Sequence, residues 1–248
     1  MAEQYTPGHS AGATAFMAAR SFSTHGEFIR PYLEPGMKVL DCGCGPGAIS
    51  IGLAEAVGPN GRVTGVDFAE SQIAVAKTRA TPNLAFEVAS IYELPFENNT
   101  FDLVFSHALF EHLSDPVRGV NEIQRVLRPE GIAGLCSPDW DGFILSPADE
   151  PMETAISRYR MLQEKNGGNT RAGRQLGTWL RSGGMAVQRM QARYECYPDT
   201  SVIAEYLAIQ LERAGEAEAE AAAALRQWAL APWSLFGQSW VSAIAVKV

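Results

Sequence analysis

The chain has 248 residues, 46% of them hydrophobic, and a formal net charge of −8. That is enough apolar material for one substantial core, as a single domain or a domain with a small cap. The acid excess argues against a nucleic-acid-binding face, which needs clustered Lys and Arg. No apolar run approaches the ~20 residues that cross a bilayer.

The opening Met1-Ala2-Glu3-Gln4-Tyr5 is not a signal peptide, and the four cysteines (42, 44, 136, 196) make no disulfide framework. Cys42-x-Cys44 lacks a second Cys/His pair at zinc spacing, so no metal is expected. A cytoplasmic protein with reduced thiols follows as the expectation. Residues 1–34 carry Tyr5, His9, Arg20 and His25 among small residues. Ala11 to Ile29 reads as one or two helices, and Pro31 and Pro35-Gly36 break the chain after it.

Met37 to Leu40 is a short apolar strand that ends on an acid, and Asp41-Cys42-Gly43-Cys44-Gly45-Pro46-Gly47 follows it. The apolar spacing from Ala48 to Ala54 is then helical. Strand, glycine turn and helix is how an α/β sheet brings bare backbone and a helix N-terminus up to a ligand. Two cofactors compete for such a loop. Gly43-x-Gly45-x-x-Ala48 with Asp67 about twenty residues on fits a loose dinucleotide fingerprint. The fuller string Asp-x-Gly-x-Gly-x-Gly places a carboxylate badly for a pyrophosphate and well for a cation. On these residues the sequence resembles the class I S-adenosylmethionine (SAM) dependent methyltransferases, especially the UbiE-like small-molecule branch. SAM carries an ammonium and a sulfonium, which an acid-tipped loop suits.

Further along, Arg62 to Asp67 is a second strand ending on an acid that can accept from both ribose hydroxyls, and Phe68 can pack on the adenine or in the core. Ala69 to Arg79 is an amphipathic helix, and Leu84 to Ala89 a third strand. Leu94-Pro95-Phe96 matches the family's tail after that strand. Ser90 stands where the family has an acid for the adenine amino group, leaving Ser90 and the backbone of Ile91 as adenine partners. Phe101 to Ser106 is a fourth strand, and His107-Ala108-Leu109-Phe110-Glu111-His112-Leu113-Ser114-Asp115-Pro116 resembles the family segment that faces the transferable methyl. The resemblance puts Ser106 at the methionine end through its backbone and makes His107 and His112 the general-base candidates, with Glu111 structural. It also implies cofactor contacts from Asp41, Gly43, Cys44, Gly45, Gln72 and Arg20, and substrate contacts from Tyr5, Trp140 and Phe143. Neither proline of the nucleic-acid amino-methyltransferase string follows position 106, and no acid at 106 or 107 suggests catechol-type metal binding.

Val117 to Leu127 is a helix, closed by Arg128-Pro129-Glu130-Gly131 before a fifth strand to Cys136. Residues 138–184 read as a substrate cap insertion, with helices over Met152 to Glu164 and Arg174 to Arg181. Met185 to Tyr197 is a sixth strand, Thr200 to Ala231 a long helical region, and Trp240 to Val248 a last strand that the resemblance places antiparallel beside the fifth. The expected fold is therefore a Rossmann-like seven-stranded α/β methyltransferase sheet, helices on both faces, residues 1–34 as an arm and a helical cap. The implied activity is methyl transfer from SAM to oxygen, nitrogen or carbon of a small organic molecule. A cyclisation or decarboxylation that uses bound SAM without methylating is the alternative. The acceptor stays open, as does the assembly, for which a homodimer is one option.

Overall fold

The computed structural model of the chain describes residues 4–8 and 10–248; His9 and residues 1–3 lie outside it. At its centre is β1 (Lys38–Cys42), buried at four of its five positions. β1 pairs parallel with β2 (Arg62–Asp67) on one side and β4 (Phe101–His107) on the other. β3 (Leu84–Val88) extends the sheet beyond β2, and β5 (Leu127–Pro138) beyond β4, both parallel. Such strands are covered on both faces, which is why they read as near-continuous apolar runs.

Successive side chains leave a strand on opposite faces, and β1 feeds two cores accordingly. Val39 points to the core under the arm, α2 (Ala48–Val57) and α3 (Glu70–Lys77), while Leu40 points to the one under α4 (Pro116–Val126). The arm itself is α1 (Ala11–Ala18) followed by tight helical turns from Phe22 to Tyr32, whose Phe22 is buried against α2 and whose Ile29 is buried against β5 of the sheet. Asp115 caps α4 by accepting from the Arg118 N–H at 3.1 Å, with Pro116 in the first turn.

β8 (Leu235–Lys247) enters antiparallel beside β5, as the resemblance implied. Its far edge is shared by β7 (Met185–Cys196), also antiparallel, and by a three-residue β6 (Ile144–Ser146), which makes the sheet eight-stranded. β6 was absent from the expected seven because three residues hold no readable alternation; it exists only as an edge for β8. The last strand also begins at Leu235, five residues before the expected Trp240.

The stretch 138–184 divides between two layers. α6 (Ala172–Ser182) buries Leu176, Trp179 and Leu180 in the sheet core beside α4, so it is a sheet-flanking helix and not a cap. α5 (Glu150–Lys165) joins α7 (Thr200–Ala214) and α8 (Ala219–Ala229) in a separate helical layer around Trp140 and Phe236. The helical region expected over 200–231 is made of two helices, α7 and α8, turned back on each other at Gly215, where φ is +138°. The buried Leu207 and Leu211 of α7 meet Ala222 and Leu225 of α8, and one continuous helix would leave half of these in water. No described helix is long and apolar enough to cross a membrane.

Candidate active site

The carboxyl ends of β1, β2 and β4 open into a cavity of about 660 Å³, roofed by the N-terminal arm. Its size and mixed lining are those of a small-molecule site, and it lies where open parallel sheets bind ligands. The glycine loop forms its floor. Gly43, Gly45 and Gly47 all have positive φ, a conformation that side-chain-bearing residues adopt at a cost. A Cβ on Gly45 would stand in the open cavity, with only Met17 Sδ within 4 Å, at 3.8 Å. On Gly47 it would lie 2.7 Å from the Phe86 ring. The first position keeps room for a ligand; the second lets the loop pack on β3.

Two carboxylates flank the loop. Asp41 is buried at the end of β1 and accepts the Ser50 hydroxyl at 2.6 Å. Burial pushes its carboxyl up to about 7, the Ser50 hydrogen bond opposes that, and Asp67 adds to it. Asp67, at the end of β2, accepts from the Gly45 and Ala69 N–H groups, each at 2.9 Å, and so ties loop to strand. Asp67 also lines the cavity. Phe68 is 57% exposed, its ring on the cavity wall. Gln72, on the same wall, donates to Thr14 of α1 at 2.9 Å, while its buried Oε1 has no partner among the described residues.

The structure brings most of the expected site together. Tyr5, Arg20, Asp41, Gly43, Cys44, Gly45, Asp67, Phe68, Gln72, Ser90, Ile91, His107 and His112 all line this one cavity. Three expected residues do not. Ser106 is fully buried, and its hydroxyl donates to the Cys42 carbonyl at 2.9 Å, stapling β4 to β1. Phe143 packs on Phe236 with ring centroids 6.0 Å apart, away from the cavity. Trp140 packs between Tyr159 and Phe236 and reaches only a narrower recess, of about 40 Å³. Alternation along β4 explains Ser106: the neighbours that face the cavity are Phe105 and His107.

Tyr5, Arg20, Ala108 and His112 line both the cavity and the recess, so the two meet at the arm. Arg20 sits over the rings of Phe16 and Trp240, 5.9 and 5.6 Å from their centroids. His107 stacks on Trp240 at 4.5 Å and meets the His25 ring edge-on at 5.1 Å; neither of its nitrogens has a hydrogen-bond partner among the described residues. Burial, then Arg20, hold its pKa well below the ordinary histidine value. His112 is likewise brought down to about 3 by burial and Arg20. Its Nε2 lies 3.7 Å from Glu111 Oε1, but with a neutral imidazole this contact is not an ion pair. Glu111 is buried, accepts the Ser137 hydroxyl at 2.9 Å, and is pushed up to about 7 by burial.

Several wall residues carried no local sequence signal. Met17, Tyr92 and Arg213 line the cavity, and Trp240 and Gln238 of β8 line the recess. His25 receives the Ser21 N–H on Nδ1 at 3.2 Å, so Nε2 carries the proton and donates to Glu195 Oε1 at 3.1 Å, 170 residues away. Asp139 and Asp141 pair with Arg174, Arg171 and Arg160 and lock the segment after β5 to α5 and α6.

Residues 33–184 match the family described as "Methyltransferase domain". The chain belongs to the class I SAM-dependent methyltransferases. It is 34% identical over 175 residues to an uncharacterized methyltransferase of Schizosaccharomyces pombe, covering 65% of this chain and 61% of that protein. It is 40% identical over 102 residues to a demethylmenaquinone methyltransferase of Staphylococcus aureus, covering 40% of this chain and 42% of the relative. The chain thus spans less than two thirds of these relatives' length. Among solved structures it is similar to the [4+2]-cyclase SpnF, with a TM-score of 0.59, 22% identity, and coverage of 94% of this chain and 79% of that one. That likeness shows the fold.

The residues present fit SAM. Gly45 leaves room where a side chain would intrude, two carboxylates flank that room, and the Gln72 Oε1 is an unfilled buried acceptor.

Proposed function

We propose that this chain transfers a methyl group from SAM to oxygen, nitrogen or carbon of a small organic molecule, releasing S-adenosylhomocysteine. The carrying observation is the convergence of the glycine loop, Asp41, Asp67 and Phe68 on one cavity that continues into an aromatic recess. In this reading Asp67 accepts from the ribose hydroxyls, Phe68 covers the adenine, and Ser90 and Ile91 meet its edge. Asp41, Gly43, Cys44, Arg20 and Gln72 hold the methionine half. Bound SAM supplies a methyl already activated by its sulfonium, so most of what the protein adds is position and exclusion of water. His107 and His112, both neutral, orient an acceptor as hydrogen-bond partners, and Tyr5 closes over it from the arm.

Calorimetric titration with SAM, S-adenosylhomocysteine and NAD tests the cofactor half. Micromolar binding of the two adenosyl ligands without NAD is expected, and binding of NAD alone would overturn the assignment. Product mass after incubation with a panel of small acceptors tests the reaction. A new product lacking the added methylene would favour the non-methylating alternative.

A further inference from the structure

Glu111 is placed as a reactive group would be, although sequence reading leaves it structural. It lies on the tight turn after β4, between His112 and the strand that ends at His107. Its backbone carbonyl accepts from the Asn169 N–H at 2.8 Å and from Gln163 Nε2 at 3.2 Å, which pins the turn to the chain around the end of α5. Glu111 lines the recess with Arg20, Trp140, Tyr159 and Trp240, its carboxylate held by the Ser137 hydroxyl and 3.7 Å from His112 Nε2. Two other buried polar atoms of the recess residues, Trp240 Nε1 and Gln163 Oε1, have no partner among the described residues. A donor, an acceptor and a carboxyl group thus surround a space that opens into the proposed SAM cavity through Tyr5, Arg20 and His112. Unsatisfied polar groups at such depth cost stability unless a ligand completes them.

Resting on the methyl-transfer reading above, we infer that Glu111 is the base that takes the proton of an acceptor hydroxyl or enol whose body lies in the cavity and whose oxygen reaches into this recess. The acceptor's O–H bond breaks and its proton goes to a Glu111 carboxylate oxygen. The freed oxygen pair bonds to the methyl carbon as the sulfur–carbon pair returns to sulfur, leaving a neutral thioether.

The surroundings suit that task better than the histidines do. The charged or titratable groups facing Glu111 are Arg20 from the arm and His112 from its own turn, with Tyr5, Tyr159, Tyr206 and Cys136 from the other packed elements. Arg20 favours the carboxylate and burial opposes it, leaving the group near 7, the useful range for a general base. A phenol-like hydroxyl near 10 is then about three pH units uphill, within reach of concerted transfer. An aliphatic hydroxyl, close to water at ~15.7, is not. The acceptor class is therefore an acidic hydroxyl or enol.

The test uses the full chain saturated with S-adenosylhomocysteine. Infrared difference spectra between pH 5 and 9 follow the protonated buried carboxyl band in wild type, Glu111→Gln, Asp41→Asn and Ser137→Ala, with and without 4-nitrophenol as the hydroxyl probe. A band with a midpoint near 7 should vanish in Glu111→Gln, persist in Asp41→Asn, move to higher pH in Ser137→Ala, and shift when the probe is added. Probe binding should weaken at least ~5-fold in Glu111→Gln, because a hydrogen bond to a charged group is lost, while S-adenosylhomocysteine affinity stays within about two-fold. With an acceptor from the product-mass screen, turnover should fall ~10²–10⁴-fold in Glu111→Gln and its acid limb should disappear. A band indifferent to the probe, or an acid limb retained in Glu111→Gln, overturns the inference. Normal S-adenosylhomocysteine binding without methylated product in wild type overturns instead the reading it rests on.

Discussion

Asp41 offers the sharpest test of the cofactor pocket, because its carboxyl stands at about 7 before any cation is bound. Below that pH the free site is mostly protonated. An ammonium or sulfonium placed beside it favours the carboxylate, so binding expels a proton and affinity falls as pH falls. For a ligand bound only by the ionised form, Kd scales as one plus ten to the power of 7 minus pH. Between pH 7.2 and 6.0 this is about seven-fold, or about 1 kcal/mol. That window stays below the ligand's own amino group, which titrates near ~7.7–8.0. Calorimetry in buffers of different ionisation enthalpy would read both the change in Kd and the proton released. Asp41→Asn keeps an oxygen for the Ser50 hydroxyl and should bind SAM more weakly with no such slope. Glu111 titrates in the same range, so Glu111→Gln is the control and should keep the slope. A flat wild-type Kd with no proton release, or a slope that survives in Asp41→Asn, would refute the reasoning.

Three further outcomes are expected. Asp67→Ala should cost ~1–3 kcal/mol of SAM binding, the scale of hydrogen bonds lost to a charged group, and unchanged affinity by calorimetry would remove Asp67 from the ribose. Gly45→Ala and Gly47→Ala should separate binding from folding. Each costs about 1–2 kcal/mol for a left-handed alanine, but only the Gly47 change meets a ring, at 2.7 Å, so it should show the larger drop in Tm while Gly45→Ala shows the larger loss of SAM affinity. His107→Ala removes a cavity ring stacked on Trp240; turnover should fall while SAM affinity holds, and full turnover would leave positioning to the other cavity and recess residues.

What the residues determined by themselves was the cofactor half. Val39 to Gly47 combines a buried run, an acid and alternate glycines within nine positions, and each of those properties is local: burial pattern, charge and backbone freedom need no distant partner to be read. Asp67 and Phe68, one strand later, were legible as cavity positions for the same reason, whereas the turn expected at 128–131 is taken into β5, which begins at Leu127. The tertiary structure decided the acceptor half. Trp140 and Phe143 look alike in sequence as cap aromatics, yet Phe143 packs on Phe236 away from both cavity and recess, while Trp140, packed between Tyr159 and Phe236, also lines the recess. Ser106 carries the right residue type in the right segment, and the strand's alternation points it at β1. The recess is assembled from the arm, the turn after β4, α5, α7 and β8, so no window of sequence contains it. Likewise the raised carboxyl of Glu111 and the neutral histidines beside it are consequences of burial by those distant elements. Desolvation is a property of the folded assembly, and a residue's neighbours along the chain do not reveal it.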